Sequence, residues 1–300
     1  MVAAKKVHVG LVGLGKMGNN MRGRMRKAGL TVTGYDPNPA VTDVPDLVAL
    51  AAKLPAPRIV WVMVPSGPIT TSVITDLAGV LGKGDLVIDG GNSRFTDDTI
   101  HAALLAEKGI RFADCGVSGG IWGLKNGYGL MAGGDKRDIA RAMPLFDALR
   151  PAGPRAEGFV HAGTTGAGHY AKMVHNGIEY GLLQAFAEGF HLLHAADFEY
   201  DLAGVSKLWN HGSVVRGWLL ELAERAFEHD GSLESLQGYV DDSGEGRWTV
   251  MEAVERAVPA PVITEALYAR FASRDDNAFS MRFIAALRNE FGGHAVKPSE

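Results

Sequence analysis

The chain has 300 residues, enough for one large domain or two of ordinary size. Its composition, with 46% hydrophobic and 21% charged residues, is that of a globular protein, and the formal net charge of -4 argues against non-specific nucleic-acid binding. No apolar run approaches the roughly 20 residues of a membrane-spanning helix, and one cysteine, Cys115, excludes an intramolecular disulfide. We therefore expect a cytoplasmic protein that binds neither nucleic acid nor a membrane.

The first half of the chain alternates between short apolar runs and amphipathic stretches. Apolar runs bounded by turn residues predict strands, and the stretches between them predict helices. The predicted strands lie at 7–12, 31–36, 58–64, 85–89, 110–115, 127–134 and 158–163, and the helices include 16–28, 96–108 and 136–149. Because such alternation is typical of a mostly parallel sheet covered on both faces, we predict an α/β, doubly wound Rossmann domain over residues 1–163.

The remainder of the chain has a helical period and no strand pattern. Between Gly166 and Ala196 almost no residue would end a helix, and about 30 residues of helix extend roughly 45 Å. Further helical stretches lie at 214–227, 247–258 and 279–291. We predict an all-helical domain over residues 164–300, with the acidic pair Asp241–Asp242 in a solvated loop.

A glycine motif joins the first predicted strand to the first helix. Gly13, Gly15 and Gly18 form a G-x-G-x-x-G pattern, in which glycines permit a tight turn and let the backbone approach a pyrophosphate. The helix N-terminus adds N–H donors and a partial positive charge. We predict a dinucleotide site here, and the alternative is a tight turn without a ligand. The other predicted contacts of the cofactor lie in this loop and after the third strand, at Leu14, Lys16, Met17, Val64 and Pro65.

Asp36 ends the second predicted strand, 18 residues after Gly18. A carboxylate at this point accepts hydrogen bonds from a ribose 2′-hydroxyl and repels a 2′-phosphate. No arginine or lysine lies between Asp36 and Lys53 to bind a 2′-phosphate. We therefore predict NAD in preference to NADP; the alternative is that Asp36 only starts the turn before Pro37.

Two further loops follow predicted strands, at the edge of a parallel sheet where ligands bind. The segment DGGNS follows the fourth strand and offers the side-chain amide of Asn92. The segment DCGVSGG follows the fifth strand and offers Ser118 and the backbone N–H groups of Gly119 and Gly120. Each is also a plausible turn, but their common position at strand ends favours a ligand site.

A polar stripe interrupts the long helix predicted from Gly166. Lys172, His175, Asn176 and Glu179 stand at i, i+3, i+4 and i+7, so they share one helix face, and Tyr180 lies beside them. A lysine next to a hydride acceptor suggests alcohol oxidation, since burial can free a lysine to act as a general base. The alternative is that Lys172 and Glu179 snorkel or pair at a domain interface.

Several of these motifs together resemble a known enzyme family. GLGKMG, DGGNS, DCGVSGG, GHYAKMVHNGIEY, GRWT and RNEFGGH occur in order over nearly the whole chain. They resemble the decarboxylating 6-phosphogluconate dehydrogenases of the β-hydroxyacid dehydrogenase superfamily, in their short, NAD-preferring bacterial-type form. The resemblance implies an oxidoreductase acting on a CH–OH group, which converts 6-phosphogluconate to ribulose 5-phosphate and CO2 in the pentose phosphate pathway. It also implies that the helical domain binds substrate and forms a homodimer or homotetramer.

The resemblance also implies roles for matching residues. Lys172 would be the general base that takes the 3-hydroxyl proton as the C3 hydride passes to NAD, and Glu179 would protonate the enediol left after CO2 departs. The carboxylate and hydroxyls of the substrate would be held by Ser118, Gly119, Gly120, His175 and Asn176, with Asn92 beside the nicotinamide. The phosphate end would be contacted by Tyr180, Arg288 and His294.

The sequence departs from the long members of that family at the phosphate end. Arg247 stands in GRWT where they carry lysine, which keeps the charge but changes its geometry. A further phosphate arginine has no clear match, and we assign Arg274 as its substitute. In the long enzymes the terminal arginine and histidine reach a neighbouring subunit's site, so Arg288 and His294 serve either their own or a neighbour's site.

Two other functions are compatible with parts of this pattern. The first is an NAD-dependent dehydrogenase of an unphosphorylated 3-hydroxy acid such as 3-hydroxyisobutyrate, which would not need Glu179, Tyr180 or the Arg288/His294 pair. The second is a non-catalytic NAD(H)-binding sensor, which would not need both Lys172 and Glu179. We expect no metal site, because the pair His191 and His194 has no further clustered ligands.

Overall fold

The computed structural model describes residues 7–292 and 295–297. The chain divides into two compact units, Met1–His175 and Asn176–Glu300. One long helix, α7 (Ala167–His194), begins in the first unit and ends in the second. Among the described residues, no helix combines the length and the apolar character needed to cross a membrane.

The first unit is built on a seven-stranded sheet of order β2-β1-β3-β4-β5-β6-β7. Its strands are β1 (His8–Val12), β2 (Thr31–Tyr35), β3 (Ile59–Val62), β4 (Leu86–Asp89), β5 (Arg111–Ser118), β6 (Gly129–Gly134) and β7 (Phe159–Gly163). Neighbouring strands run parallel except β5 and β6, which are antiparallel. The predicted Rossmann-type α/β fold is therefore confirmed.

Helices cover both faces of this sheet, because alternate residues of the central strands point to opposite sides. Leu11 of β1 packs into one buried cluster with Trp61 and Phe146, and the next residue, Val12, packs into another with Ile74. The helices are α1 (Lys16–Lys27), α2 (Leu47–Lys53), α3 (Pro68–Val80), α4 (Phe95–Ala106), α5 (Gly123–Asn126) and α6 (Lys136–Leu149).

All the described elements of the second unit are helices, as predicted. After α7 come α8 (Leu202–Gly212), α9 (Trp218–His229), α10 (Glu245–Glu255), α11 (Pro261–Ala272) and α12 (Phe279–Gly292). The helix predicted over 214–227 begins later, because Gly217 stands at its N-cap position.

Candidate active site

The glycine loop has the geometry that a dinucleotide requires. Gly13 has a φ of 92°, which favours glycine, and a Cβ at Gly18 would clash with the carbonyl oxygen of Gly13. At Gly15 an added Cβ would meet nothing within 4 Å, and α1 begins at the next residue without a side-chain cap. The loop therefore combines a tight turn, close packing of helix on strand, and an open helix N-terminus that fits a pyrophosphate.

Asp36 follows β2 and reaches back to this loop. One carboxylate oxygen accepts a hydrogen bond from the backbone N–H of Leu14 at 2.7 Å, and the other accepts from Asn38 N–H at 2.9 Å. The nearby cations of α1 have other partners: Arg22 donates to Val41 O at 2.8 Å, and Arg26 pairs with Asp43 at 2.7 Å. The carboxylate thus lies at the glycine loop, where a ribose hydroxyl of NAD would be held.

The loops after β3 and β4 lie at the same carboxyl edge of the sheet. Val64 is half-buried and Pro65 is exposed in the first of these loops. The second loop is held by Asp89, whose carboxylate accepts from Gly91 N–H at 2.9 Å and from the Ser93 hydroxyl at 2.7 Å. Asn92 is half-buried between these two anchored neighbours, so the position of its backbone is fixed.

The DCGVSGG segment differs from the predicted loop. β5 continues through Ser118, which pairs with Gly129 of antiparallel β6, so most of the motif is strand. The chain turns only at Gly119, where φ is 129°, and at the exposed Gly120. The sequence pattern predicts that β5 ends at residue 115, because the glycines interrupt its apolar run.

Lys172 is buried, with 7% of its surface exposed, in the second turn of α7. Its side chain lies against the backbone of Gly116 in β5: a Cβ added to Gly116 would be 3.0 Å from the Lys172 Cγ and closer still to its Cβ. The same Cβ would lie 2.7 Å from the carbonyl oxygen of Gly168. The absence of a side chain at Gly116 therefore creates the space that Lys172 occupies.

The N-terminus of α7 is anchored by buried carboxylates that sequence analysis did not select. Asp114 of β5 accepts hydrogen bonds from Gly166 N–H at 2.6 Å and His169 N–H at 2.9 Å. The imidazole Nδ1 of His169 lies 3.0 and 2.9 Å from the two oxygens of Asp98 in α4. These contacts join residues far apart in the sequence, and no local motif marks them.

Burial and mutual charge perturb this pair strongly. Burial raises the pKa of Asp98 to about 7, although His169 opposes the shift. For His169 burial alone would lower the pKa, but the carboxylates of Asp98, Asp89 and Asp114 outweigh it and raise the pKa to about 9. The pair therefore retains a proton at neutral pH.

In the second unit, Tyr180 is buried against Ala266 and Leu267 and its hydroxyl oxygen accepts from Ser243 N–H at 3.1 Å. The guanidinium carbon of Arg270 lies 3.5 Å from the centre of the Tyr180 ring, a cation–π contact. Arg270 was not among the predicted site residues. It lies on α11, which sequence analysis did not identify as a helix.

Arg247 and Arg274, both predicted, converge on Asp242. Arg247 donates to its two oxygens at 2.7 and 3.0 Å, and Arg274 donates to one at 3.1 Å. These hydrogen bonds, Arg247 first, lower the pKa of Asp242 to about 2. The prediction of a solvated position was wrong for Asp242, whose side chain is 4% exposed, while Asp241 is 78% exposed.

Tyr180 and the arginines Arg247, Arg270 and Arg274, with Asp242, are called here the arginine cluster. Two guanidinium groups, those of Arg247 and Arg274, donate to the Asp242 carboxylate. The third, that of Arg270, lies over the Tyr180 ring and donates to Asp241 O at 3.1 Å. Three cations and one carboxylate leave the cluster with a net positive charge. Guanidinium groups suit a phosphate because they donate two parallel hydrogen bonds to it. The cluster is thus a candidate phosphate site within the second unit.

The remaining predicted residues are less completely placed. On α7 His175 is exposed, whereas Asn176 and Glu179 are half-buried. Arg288 is exposed on α12, outside the arginine cluster as described, and His294 lies outside the described residues. Among the described residues, two buried triads consist of residue types that can bind a metal ion: Asp89, Asp98 and His101, and Asp98, Asp114 and His169. Neither triad includes His191 or His194.

Comparison with known proteins assigns both units. Residues 8–151 match the NAD binding domain of 6-phosphogluconate dehydrogenase, and residues 168–282 match the C-terminal domain of 6-phosphogluconate dehydrogenase. The NAD(+)-dependent, decarboxylating 6-phosphogluconate dehydrogenase of Haloferax volcanii is 41% identical over 300 residues, which cover 97% of this chain and 98% of that protein.

Solved structures give the same result for the fold. The Plasmodium falciparum 6-phosphogluconate dehydrogenase superposes with a TM-score of 0.80 at 27% identity, covering 98% of this chain and 67% of that chain. A 3-hydroxyisobutyrate dehydrogenase from Salmonella typhimurium superposes with a TM-score of 0.72, covering 90% of this chain and 95% of that chain, but at 23% identity it shares only the fold. By both its matched domains and its relatives, this chain belongs to the 6-phosphogluconate dehydrogenase family.

Proposed function

We propose that the protein oxidises and decarboxylates 6-phospho-D-gluconate to D-ribulose 5-phosphate and CO2, with NAD as its cofactor. The observation that supports the proposal is the arginine cluster of the second unit, which we assign as a phosphate site in a chain that also has a dinucleotide-binding fold. The phosphate arginines proposed here are Arg247, Arg270 and Arg274, with Tyr180 beside them.

The chemistry is assigned to two residues of α7, Lys172 and Glu179. NAD, when bound, accepts the hydride from C3 of the substrate. Lys172 takes the proton of the 3-hydroxyl group, which leaves a carbonyl at C3, and the protonated amine then polarises that carbonyl. The bond from C2 to the carboxyl carbon breaks, CO2 leaves, and the electron pair of that bond forms the C2–C3 double bond of an enediol as Lys172 returns its proton to the C3 oxygen. Glu179 protonates the enediol carbon that becomes C1 of ribulose 5-phosphate, while Lys172 takes the proton of the C3 hydroxyl again.

We assign substrate recognition to two sets of polar groups: those close to Lys172 and Glu179 in the sequence, and those that lie at the ends of strands. We propose that the carboxylate and hydroxyls are bound by Asn92, Ser118, Gly119, Gly120, His175 and Asn176. Arg288 and His294 are proposed as additional phosphate contacts from the same chain or a neighbouring one. The cofactor domain is proposed to comprise residues 1–163, and the substrate and oligomerisation domain residues 164–300.

NAD is proposed in preference to NADP because of Asp36. Its carboxylate sits at the glycine loop, 2.7 Å from Leu14 N. A 2′-phosphate placed there would meet a negative charge, while the ribose hydroxyl of NAD would donate a hydrogen bond to it. The nearby Arg22 and Arg26 are already engaged with Val41 and Asp43.

A homo-oligomer, dimer or tetramer, is proposed from the surface of α12. Its apolar side chains Phe279, Met281, Phe283, Ile284 and Leu287 are 45–72% exposed. An apolar helix surface of this kind usually lies in an interface between chains. A second copy of this chain is the occupant that we propose.

The closest competing function is oxidation of an unphosphorylated 3-hydroxy acid, since that enzyme shares the fold. A substrate panel separates the two: 6-phosphogluconate, gluconate and 3-hydroxyisobutyrate, each with NAD and with NADP, followed by absorbance of the reduced cofactor. We expect rapid turnover only with 6-phosphogluconate, and at lower concentrations of NAD than of NADP. Turnover of 3-hydroxyisobutyrate without turnover of 6-phosphogluconate would refute the proposal.

The substitution Lys172→Met tests the assigned base and the alternative of a non-catalytic sensor. If the protein were a sensor, it would bind NAD(H), but even the unsubstituted parent would not turn over 6-phosphogluconate. We expect the variant to bind NAD like the parent and to lose turnover. Parent-like turnover in Lys172→Met would show that Lys172 is not the base.

A further inference from the structure

A buried polar cluster beneath the first turns of α7 has no role in the chemistry proposed above. It consists of Asp89, Asp98, Asp114 and His169, each at most 1% exposed. Its members come from β4, α4, β5 and α7, so it joins four elements at the carboxyl edge of the sheet. We call it the helix anchor.

The hydrogen bonds of the helix anchor fix both the end and the rotation of α7. Asp114 accepts from Gly166 N–H and His169 N–H, which holds the helix N-terminus on β5. The contact from His169 Nδ1 to both oxygens of Asp98, at 3.0 and 2.9 Å, fixes how the helix is turned about its axis. Position along the axis and rotation about it are thus set by different carboxylates.

The helix anchor and Lys172 share the first two turns of α7 and one face of β5. His169 precedes Lys172 by three residues, so the two side chains lie on neighbouring parts of one helix face. Asp114 and Gly116 are two residues apart in β5, so they face the same side of the sheet. One strand face therefore holds the helix start through Asp114 and receives the Lys172 side chain at Gly116.

We propose that the His169–Asp98 pair is a positioning device that holds Lys172 against Gly116 in the orientation needed to take the substrate proton. This inference rests on the proposed function, in which Lys172 is the base. A buried pair of this kind costs desolvation and is a poor source of stability compared with apolar packing. Its use here is to fix geometry, because a rotation of α7 would move the lysine amine away from the reacting hydroxyl.

The test removes the link and compares it with a neighbouring buried imidazole, that of His101. This imidazole lies within 4.8 Å of the carboxylates of Asp89 and Asp98 but hydrogen-bonds to Thr71 and not to them. His169→Leu removes the donor, Asp98→Ala removes the acceptor, and His169→Asn restores an N–H near the position of Nδ1. The control is His101→Asn: His101 is 2% exposed on α4 and bonds Thr71 at 3.1 Å. Thermal unfolding of all four variants shows which are folded and how far each is destabilised.

We expect kcat with 6-phosphogluconate to fall by about 100-fold in His169→Leu and Asp98→Ala, while KM for substrate and NAD changes less than about threefold. The deuterium isotope effect on kcat with substrate labelled at C3 should rise, since proton abstraction and hydride transfer become slower. His169→Asn should recover most of kcat, and His101→Asn should resemble the parent. A parent-like kcat in both His169→Leu and Asp98→Ala would overturn the proposal. If His169→Leu does not fold, the kcat of Asp98→Ala alone decides between the two outcomes.

The position of Lys172 in crystal structures does not depend on turnover, so it tests this inference separately from the proposed function. Crystal structures of the parent, Asp98→Ala and His101→Asn proteins show whether Lys172 stays against Gly116. If the parent does not turn over 6-phosphogluconate, the proposed function fails, but displacement of Lys172 in Asp98→Ala alone still supports the positioning role. An undisturbed Lys172 in Asp98→Ala would overturn that role even if the parent is active.

Discussion

Replacing Gly116 by alanine adds one methyl group beside Lys172 and leaves every proposed catalytic residue in the chain. The new Cβ would lie 2.7 Å from Gly168 O and 3.0 Å from Lys172 Cγ, and closer to Lys172 Cβ. Since ordinary van der Waals contact begins at 3.4 Å, the helix must move away from β5 by roughly 0.7 Å or more. The substitution is therefore expected to displace the lysine without removing it.

The size of the effect follows from that displacement. A misplacement of about 1 Å at a reacting group costs on the order of 100-fold in rate. Overpacking of a tight site costs about 1–3 kcal/mol of stability. We therefore expect Gly116→Ala to fold, to bind NAD like the parent, and to have a kcat lower by about 30- to 100-fold.

Steady-state kinetics with 6-phosphogluconate and NAD, together with thermal unfolding, checks this expectation. Gly79→Ala is the matched control, because an added Cβ at Gly79 in α3 meets nothing within 4 Å. Gly79 is the penultimate residue of α3, so the change is expected to stabilise by less than the about 0.5–1 kcal/mol typical of a helix interior and to leave kcat unchanged. A Gly116→Ala protein with parent kcat would show that Lys172 is not seated as described or does not act as the base.

Three further outcomes follow from the described contacts. Asp36→Ser should raise KM for NAD by about 10-fold, because the ribose loses a carboxylate acceptor. It should also lower the preference for NAD over NADP, measured as the ratio of the two kcat/KM values. An unchanged ratio would contradict the role assigned to Asp36. Arg270→Met should raise KM for 6-phosphogluconate by about 10- to 100-fold, as expected for a lost charge-assisted hydrogen bond, whereas Arg256→Met, at the C-cap of α10, should leave KM unchanged. An unchanged KM in Arg270→Met would exclude Arg270 from the phosphate site. Asp242 has a pKa of about 2 in the folded state, below its ordinary value of 3.8, so its contribution to stability is present above pH 4 and is lost as the pH falls towards 2. Urea unfolding should show a smaller loss of stability over that interval in Asp242→Asn than in the parent, and equal losses would contradict the ion-pair description.

The local sequence pattern was sufficient to predict the strands of the sheet and the cofactor loop. Buried parallel strands are continuous apolar runs, and Gly13 and Gly18 serve a turn and a packing contact that depend on adjacent residues only. The fold class was therefore accessible from the sequence. The end of β5 was not, because antiparallel pairing with β6 extends the strand through glycines that have no strand preference of their own.

The second unit was harder to predict because its helices have weaker signals. α11 starts with Pro261 and continues with Val262, Ile263 and Thr264, whose branched side chains favour strands. Proline is nevertheless well suited to the first turn of a helix. Because α11 is not predicted from the sequence, Arg270 is not predicted as a site residue either. In the structure α11 places Arg270 over the Tyr180 ring.

The polar contacts of the site depend on distant residues, and so a single sequence does not reveal them. His169 meets Asp98 across 71 positions, and no spacing rule connects them. Asp242 follows Asp241 in a segment that is typical of a solvated loop, yet its side chain is covered by Arg247 of α10 and by Arg274 of the turn after α11. Charge pattern indicates which residues can pair, and only the fold determines which ones do.

In the proposed reaction, hydride removal at C3 and loss of the carboxyl group are steps of one reaction on a phosphorylated sugar acid. The most direct measurement supplies the protein with NAD and 6-phosphogluconate labelled with ¹³C in the carboxyl group, and follows NADH absorbance and labelled CO2 together. We expect one labelled CO2 for each NADH, with ribulose 5-phosphate as the sugar product. NADH formation without labelled CO2, or no reaction while NAD binds, would contradict it.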